Sequence, residues 1–401
     1  MGFASGSVTF RRYKIVNWTH ANIDDAFVEA LTNCAFGRYQ LVHDESTQIG
    51  WVTPQHVLDA EFAGEKIAAG RFAHFAMRLD RNTVPAAIKR SYFEIERIAA
   101  LEASGRDFLN KRELKEARES ANRRAEKEAR SGAFRRINSF PIVVDLEKAM
   151  LYFGNASNGV NEHMQRLFVD TFDVQLAPLS THTMAISIAE SEGLMRALED
   201  GKPSHWVSIP DGADGDFHGL DPTDCSYLGR EFLSWIWFNV ETNEGVIRLP
   251  DDTDAMLSVV NQANLKCDFE LTGAVSVRGD APARMKESKA ALATGKQPTR
   301  LGLLLASRLG EWALTLDGPT LGVFGLQIPA GDDDDADKTQ ILESRCESVS
   351  DLCGSLDLLF QRFLRLRLSK EWDAVHTRIA MWIAQFDPRD ARDEQRLASV
   401  G

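Results

Sequence analysis

The sequence predicts an α+β protein with mixed sheets and a projecting helical hairpin. Strand-like alternation and helical apolar periodicity interleave through residues 1–82 and 138–330. Between those stretches, Lys111 to Arg136 holds ten Lys/Arg against five Glu, a local +5 on a chain of net charge −13, which leaves −18 elsewhere. The apolar face of this basic stretch is thin, Leu114, Ala117, Ala121 and Ala125. A helix with so little to bury is poorly anchored alone and calls for an antiparallel partner.

Bulk properties set the frame. A length of 401 residues predicts two or three domains, and 44% hydrophobic content is ample for a core. No run is apolar enough for a membrane helix, and Met1 to Arg12 lacks the apolar stretch of a secretory signal. The five cysteines, Cys34, Cys225, Cys267, Cys346 and Cys353, are scattered without a C-x-x-C pair, which predicts free thiols in a reducing cytoplasm. The spacing of Cys346 and Cys353 puts both on one helix face.

Residues 1–82 and 138–200 read as an N-terminal α+β body. Val8–Val16 is strand-like, Ile23–Cys34 has helical rhythm, Gly50–Val52 is a short strand stopped by Pro54, and Arg71–Leu79 alternates. Pro85 opens a helix with an apolar stripe at Ile88, Tyr92, Ile95 and Ile98 or Ala99, ending near Ser104-Gly105. Asn110 with Glu113 forms a capping-box pattern that restarts a helix. The two helices make a finger over 83–137. Ile142–Asp145 and Ala149–Phe153 form a hairpin, Asn155–Gly159 a turn, Val160–Phe172 a helix and Val174–Leu179 a strand, a β-β-α-β unit. Ile186–Leu198 is helical.

Residues 201–330 read as a second α+β domain. Its first part, 201–223, is loop, and the aromatic-rich Leu228–Val240 is core. Strand signals lie in 245–275, a helix spans Met285–Thr294, and Gly295–Pro298 is a turn. Arg300–Leu309, Trp312–Leu316 and Leu321–Ile328 are three strands, or a helix followed by a hairpin around Asp317-Gly318. Residues 331–337 form an acidic linker, and leucine-rich helical spacing follows over Leu352–Leu366, with a frayed end from Phe386.

The chemistry-bearing signal is the finger. Arg112, Lys115, Arg118, Arg123, Arg124, Lys127 and Arg130, then Phe134 beside Arg135 and Arg136, combine cations for phosphates with an aromatic for bases. The structural alternative is a solvated helix laced by the i,i+4 pairs Glu119–Arg123 and Glu126–Arg130, with Phe134 a core anchor. No H-E-x-x-H, G-x-S-x-G or phosphate-loop motif is present. Consecutive Asp332–Asp335 cannot converge on one ion without a sharp turn, so no metal site is expected. His74 and His182 read as packed or surface residues, and Gly154–Gly159 as helix capping.

Four stretches together resemble the RdgC family of recombination-associated DNA-binding proteins. Gln48-Ile49-Gly50-Trp51-Val52-Thr53-Pro54 resembles its M-G-W-V-x-P element, and Val84-Pro85-Ala86-Ala87-Ile88-Lys89 its L-P-x-x-V-I-K entry into a finger. Ala133-Phe134-Arg135-Arg136 stands in place of R-A-F-S-R-F, with Gly132 where the family has arginine. Ala177-Pro178-Leu179-Ser180 matches V-P-L-S, and Ala293-Thr294-Gly295-Lys296 is a weaker echo of E-A-G-K. The likeness covers about 45–185 and, more faintly, 270–330.

The resemblance implies a non-catalytic, cofactor-free homodimer, ring- or horseshoe-forming, that encloses double-stranded DNA with little sequence preference. Such a protein would sit on the nucleoid and restrain RecA-dependent recombination. It places Lys89 at the finger entry, Phe134 as the aromatic that approaches DNA, and Arg278 and Lys296 among further basic contacts. Two competing classes remain: a protein–protein assembly module built on the finger and the 352–366 stripe, and a metal-dependent DNA-processing enzyme using the segment 200–265.

Overall fold

The computed structural model describes residues 2–40, 47–207, 225–267, 273–328 and 337–386. Asp332–Asp335, most of the 201–223 loop and the chain beyond Phe386 lie outside the described residues. The first elements are β1 (Ser7–Val16), α1 (Asp25–Asn33), β2 (Thr47–Val52), α2 (Gly64–Ile67), β3 (Ala68–Ala69) and β4 (Phe72–Asn82). Then come α3 (Ala86–Ser104), α4 (Lys111–Arg130), β5 (Arg135–Asp145), β6 (Met150–Phe153), α5 (Asn158–Phe172), β7 (Gln175–Pro178), α6 (Thr181–Glu192) and α7 (Met195–Glu199). The second half holds α8 (Tyr227–Thr242), β8 (Val246–Arg248), β9 (Asp254–Cys267), β10 (Val275–Arg278), α9 (Lys286–Ala293), β11 (Lys296–Ser307), β12 (Gly310–Asp317) and β13 (Val323–Gln327). Two helices, α10 (Lys338–Arg367) and α11 (Trp372–Ala384), close the described chain.

The protein is α+β, with a large antiparallel sheet ordered β10-β9-β11-β12-β13-β1-β6-β5-β4-β2, to which β3, β7 and β8 add at β4, β1 and β9. β1 joins the two halves. Its first residues pair with β13, and Arg11 to Val16 pair with β6 and β7. The alternation of β1 decides what packs where. Tyr13 and Ile15 enter one core with Phe27 and Leu31 of α1 and Met164, Leu167, Phe168 and Phe172 of α5. Val8 and Phe10 face the opposite core, built from α6, α8, α10, α11 and the second half of the sheet. Residues 181–199 therefore join the second core.

α8 is apolar nearly all round and correspondingly buried, Leu228, Phe232, Trp235, Ile236 and Trp237 included. Full burial of side chains this large contributes about 1.5–3 kcal/mol each. α10 straddles both halves. Arg12 donates to Asp357 at 2.7 Å, Lys148 Nζ to Ser350 Oγ at 2.7 Å, and Arg345 caps the carbonyls of Phe3 and Gly6 at 2.7 and 2.6 Å. Its buried Cys346 and Cys353 share the inward face, and none of the five cysteines is in a disulfide. Among the described residues no helix is long and apolar enough to cross a membrane.

Several expectations need correcting. The helix expected over Ile186–Leu198 is two, α6 and α7, divided at Gly193, whose φ of 69° ends α6 in the left-handed region. Residues 296–298 are strand rather than turn, because β11 begins at Lys296, and Pro298 is accommodated where the register with β9 shifts. Arg300–Ser307 continues that strand, so the helical alternative fails. β5 begins at Arg135, seven residues before the expected strand, which puts Arg135 and Arg136 on the sheet. α10 starts at Lys338, well ahead of the leucine stripe. Its polar first turns carry a capping box, Asp337 with Gln340, that leaves little apolar signal.

Candidate nucleic-acid interface

α3 and α4 form a helical hairpin between β4 and β5. Gly105 closes α3 in the left-handed region at φ 62°. Asn110 Oδ1 accepts from Glu113 N and Glu113 Oε2 from Asn110 N, both at 2.9 Å, which makes the expected capping box. That backbone bond, helped by Arg106, holds Glu113 below the usual carboxylate range. The seam is small: Ala117, Ala121 and Ala125 are buried on α4, and no residue of α3 is.

The face of α3 turned inward keeps Ile88 and Tyr92 of the expected stripe but not Ile95 and Ile98. Tyr92, Phe93, Glu96, Arg97, Ala100 and Leu101 are half-buried, whereas Ile95 and Ile98 are each 48% exposed. Alanines leave room for rings, and the rings are then covered by cations of α4. Arg124 lies 4.7 Å from the Tyr92 ring centre and Arg118 5.5 Å from that of Phe93.

The cations of α4 divide into paired and unpaired. Arg112 binds Glu116 at 2.9 Å and Lys115 lies 3.9 Å from Glu119, while the exposed Lys111 and Arg118 have no carboxylate within ion-pair distance among the described residues. Arg124 lies 4.0 Å from Glu96. The expected pairs Glu119–Arg123 and Glu126–Arg130 do not form; Glu119 sits by Lys115 instead. Near the sheet, Arg123, Lys127 and Arg130 are exposed, and among the described residues none has a carboxylate within ion-pair distance. At about 100° per residue these three fall within an arc of roughly 60°, opposite the alanine seam.

The strand root adds to this stripe. Arg136 is exposed and sits in register with the exposed Arg81 of β4. Like charges directly across a ladder are destabilising, so the pair is a local cost that an anion would relieve. Arg81 has only the alternation Arg78-Leu79-Asp80-Arg81 to mark it in the sequence, and that pattern points to a site only where β4 and β5 pair up to Asn82 and Arg135.

The other face of this ribbon is closed. Asp80, 2% exposed, receives Arg78 on both oxygens at 2.9 and 2.7 Å and Arg135 Nε at 2.6 Å. Arg135 also donates to Gln48 Oε1 at 3.2 Å. The Arg78 guanidinium stacks 3.9 Å from the Phe36 ring centre. Gly50 permits that, because a side chain there would meet the Phe36 backbone at 2.4 Å. Its neighbour Trp51 is fully buried and donates to Thr171 Oγ1 at 2.7 Å. Gly132 stands at φ 85°, where a side chain is strained, so the glycine at this turn has a backbone reason.

Of the remaining expected site residues, Lys89 is exposed on the first turns of α3. Phe134 is half-buried and belongs to neither core cluster. Arg278 is exposed on β10, at the far end of the sheet order from β4 and β5. Lys296 is buried, with Nζ 3.2 Å from Thr294 Oγ1, and offers no surface cation. His74 is buried and held neutral, its pKa pushed down to about 4 by burial. Among the described residues no group of three His, Cys, Asp or Glu is placed to hold a metal ion. Compared with protein-family models and with curated proteins, the chain matches none.

Proposed function

We propose that this protein is a non-catalytic DNA-binding protein that grips duplex DNA without sequence preference and restrains RecA-dependent recombination by occupying it. The observation that carries this is the unpaired stripe Arg123, Lys127 and Arg130, continued by Arg136. Cations held on rigid elements and left without carboxylates suit phosphates, and they carry no base-edge code. An acidic remainder keeps DNA away from other surfaces. The recombination role, the ring and the nucleoid location rest on the resemblance to the RdgC family.

The test is a duplex titration by fluorescence anisotropy. Arg123→Glu, Lys127→Glu and Arg130→Glu combined should abolish binding while circular dichroism stays unchanged. Undiminished affinity refutes the proposal.

A specific observation also favours self-association. Ile95, Ile98 and Phe108, the last 71% exposed, leave apolar surface on the outer face and turn of the hairpin. We assign this surface to the homodimer contact. Ile95→Asp with Ile98→Asp should convert dimer to monomer in sedimentation; an unchanged mass places the contact elsewhere.

A further inference from the structure

A cleft of about 550 Å³ lies where α4 meets the sheet, between Gln48, Asp80, Asn82, Glu126, Arg130 and Arg135. Its volume suits one nucleotide. Two of these residues are already engaged: Asp80 is saturated by Arg78 and Arg135. The rest are not. Asn82 Nδ2 donates to Ala129 O, which fixes the amide orientation and leaves Oδ1 buried with no partner. Glu126 and Arg130 stand one turn apart yet do not pair, and among the described residues neither has another charged partner. Gln48 accepts from Arg135 through Oε1, so its Nε2 donors remain.

The groups left to a ligand are therefore a carboxylate, an amide donor and a guanidinium around one cavity; Asn82 Oδ1 is an unmade bond too deeply buried for a ligand to reach. We infer that this cleft takes a single unstacked nucleotide whose base presents an exocyclic amino group. The amino group donates to Glu126, Gln48 Nε2 meets a base carbonyl, and Arg130 meets the phosphate. Watson–Crick edges offer this mixture of donors and acceptors only when the base is out of the helix. The inference deepens the DNA-binding reading and rests on it for one source of the nucleotide, an extrahelical base in bound DNA; the other is a free nucleotide of the same chemistry.

The full chain is titrated calorimetrically with GMP, CMP, TMP and inorganic phosphate. In parallel, its affinity for a duplex is compared with that for the same duplex carrying one extrahelical cytosine. GMP and CMP should bind at least tenfold more tightly than TMP or phosphate, and the bulged duplex about tenfold more tightly than the intact one. Glu126→Gln is the discriminating variant, since Glu126 is exposed and the change is nearly isosteric. It should lower amino-base and bulge affinity about tenfold while leaving intact-duplex affinity equal or higher, because a negative charge is removed.

Nucleotide binding without bulge preference assigns the cleft to free nucleotides, and the reverse assigns it to DNA; either supports the site. Phosphate bound as well as GMP contradicts it, as do nucleotide and bulge affinities unmoved by Glu126→Gln. If the DNA reading fails instead, neither duplex binds while GMP still does. If none binds, both fall.

Discussion

Asp80 is the residue on which the geometry of the hairpin root depends, and Asp80→Asn is the change that exposes this. The carboxylate is 2% exposed and Arg78 7% exposed, so the pair is shielded from solvent screening. Removing one partner of a buried pair leaves an uncompensated charge and costs about 3–5 kcal/mol. Arg135, whose side chain is 41% exposed, adds little to that figure. Asp80→Asn should therefore lower unfolding free energy by about 3–5 kcal/mol, read from urea denaturation followed by tryptophan fluorescence. Replacing both partners, Arg78→Met with Asp80→Leu, should recover most of the loss, since apolar groups of similar size need no counter-charge. A cost for Asp80→Asn below about 1 kcal/mol, or a double variant no better than the single, would show that the ion pair does not hold this region as described. The same variant frees Arg135, so its folded fraction should bind duplex at least as well as the native chain.

Other outcomes follow from the same structure. His74 is held neutral at a pKa of about 4 against an ordinary 6.5, so the unfolded chain takes up the proton first as pH falls. Stability from this group is complete above about 6.5 and is lost progressively towards 4, by about 2 kcal/mol at pH 5. His74→Phe should flatten that part of the pH dependence in thermal melts, and an unchanged slope contradicts the assignment. Arg112→Ala with Lys115→Ala removes cations already neutralised and should cost duplex affinity less than a quarter, on a logarithmic scale, of what the combined loss of Arg123, Lys127 and Arg130 costs; equal losses would mean the ion pairs do not matter. Phe134→Ala should weaken duplex binding without altering its salt dependence, because a ring contributes contact rather than charge; an altered slope would point to displacement of Arg135 and Arg136.

The fold class was legible because period-2 and helical patterns alternate visibly, and the hairpin because Pro85, Ser104-Gly105 and the Asn110–Glu113 box are local signals. Three things were not. Which face of α3 packs was hidden, because Ile95 and Ile98 look like a core stripe until the partner's seam proves to be alanine, too narrow to need them. Which cations stay free was hidden, since Glu119 can reach Lys115 one turn back or Arg123 one turn on, and spacing does not choose. The roles of Arg81 and Asp80 depend on the β4–β5 register, which joins residues more than fifty positions apart and leaves no trace in either strand alone. Lys296 illustrates the converse. A lysine near a turn reads as surface, but β11 starts there and carries it inward.

The salt dependence of duplex affinity for the native chain is the most direct measure of DNA binding by the hairpin root. The four cations of the stripe, Arg123, Lys127, Arg130 and Arg136, are exposed without carboxylate partners among the described residues. At about −0.9 per phosphate contact, log affinity should fall against log salt with a slope near −3.6 per protomer, roughly a hundredfold between 50 and 200 mM. A slope near zero, or no measurable binding at 50 mM, would contradict it.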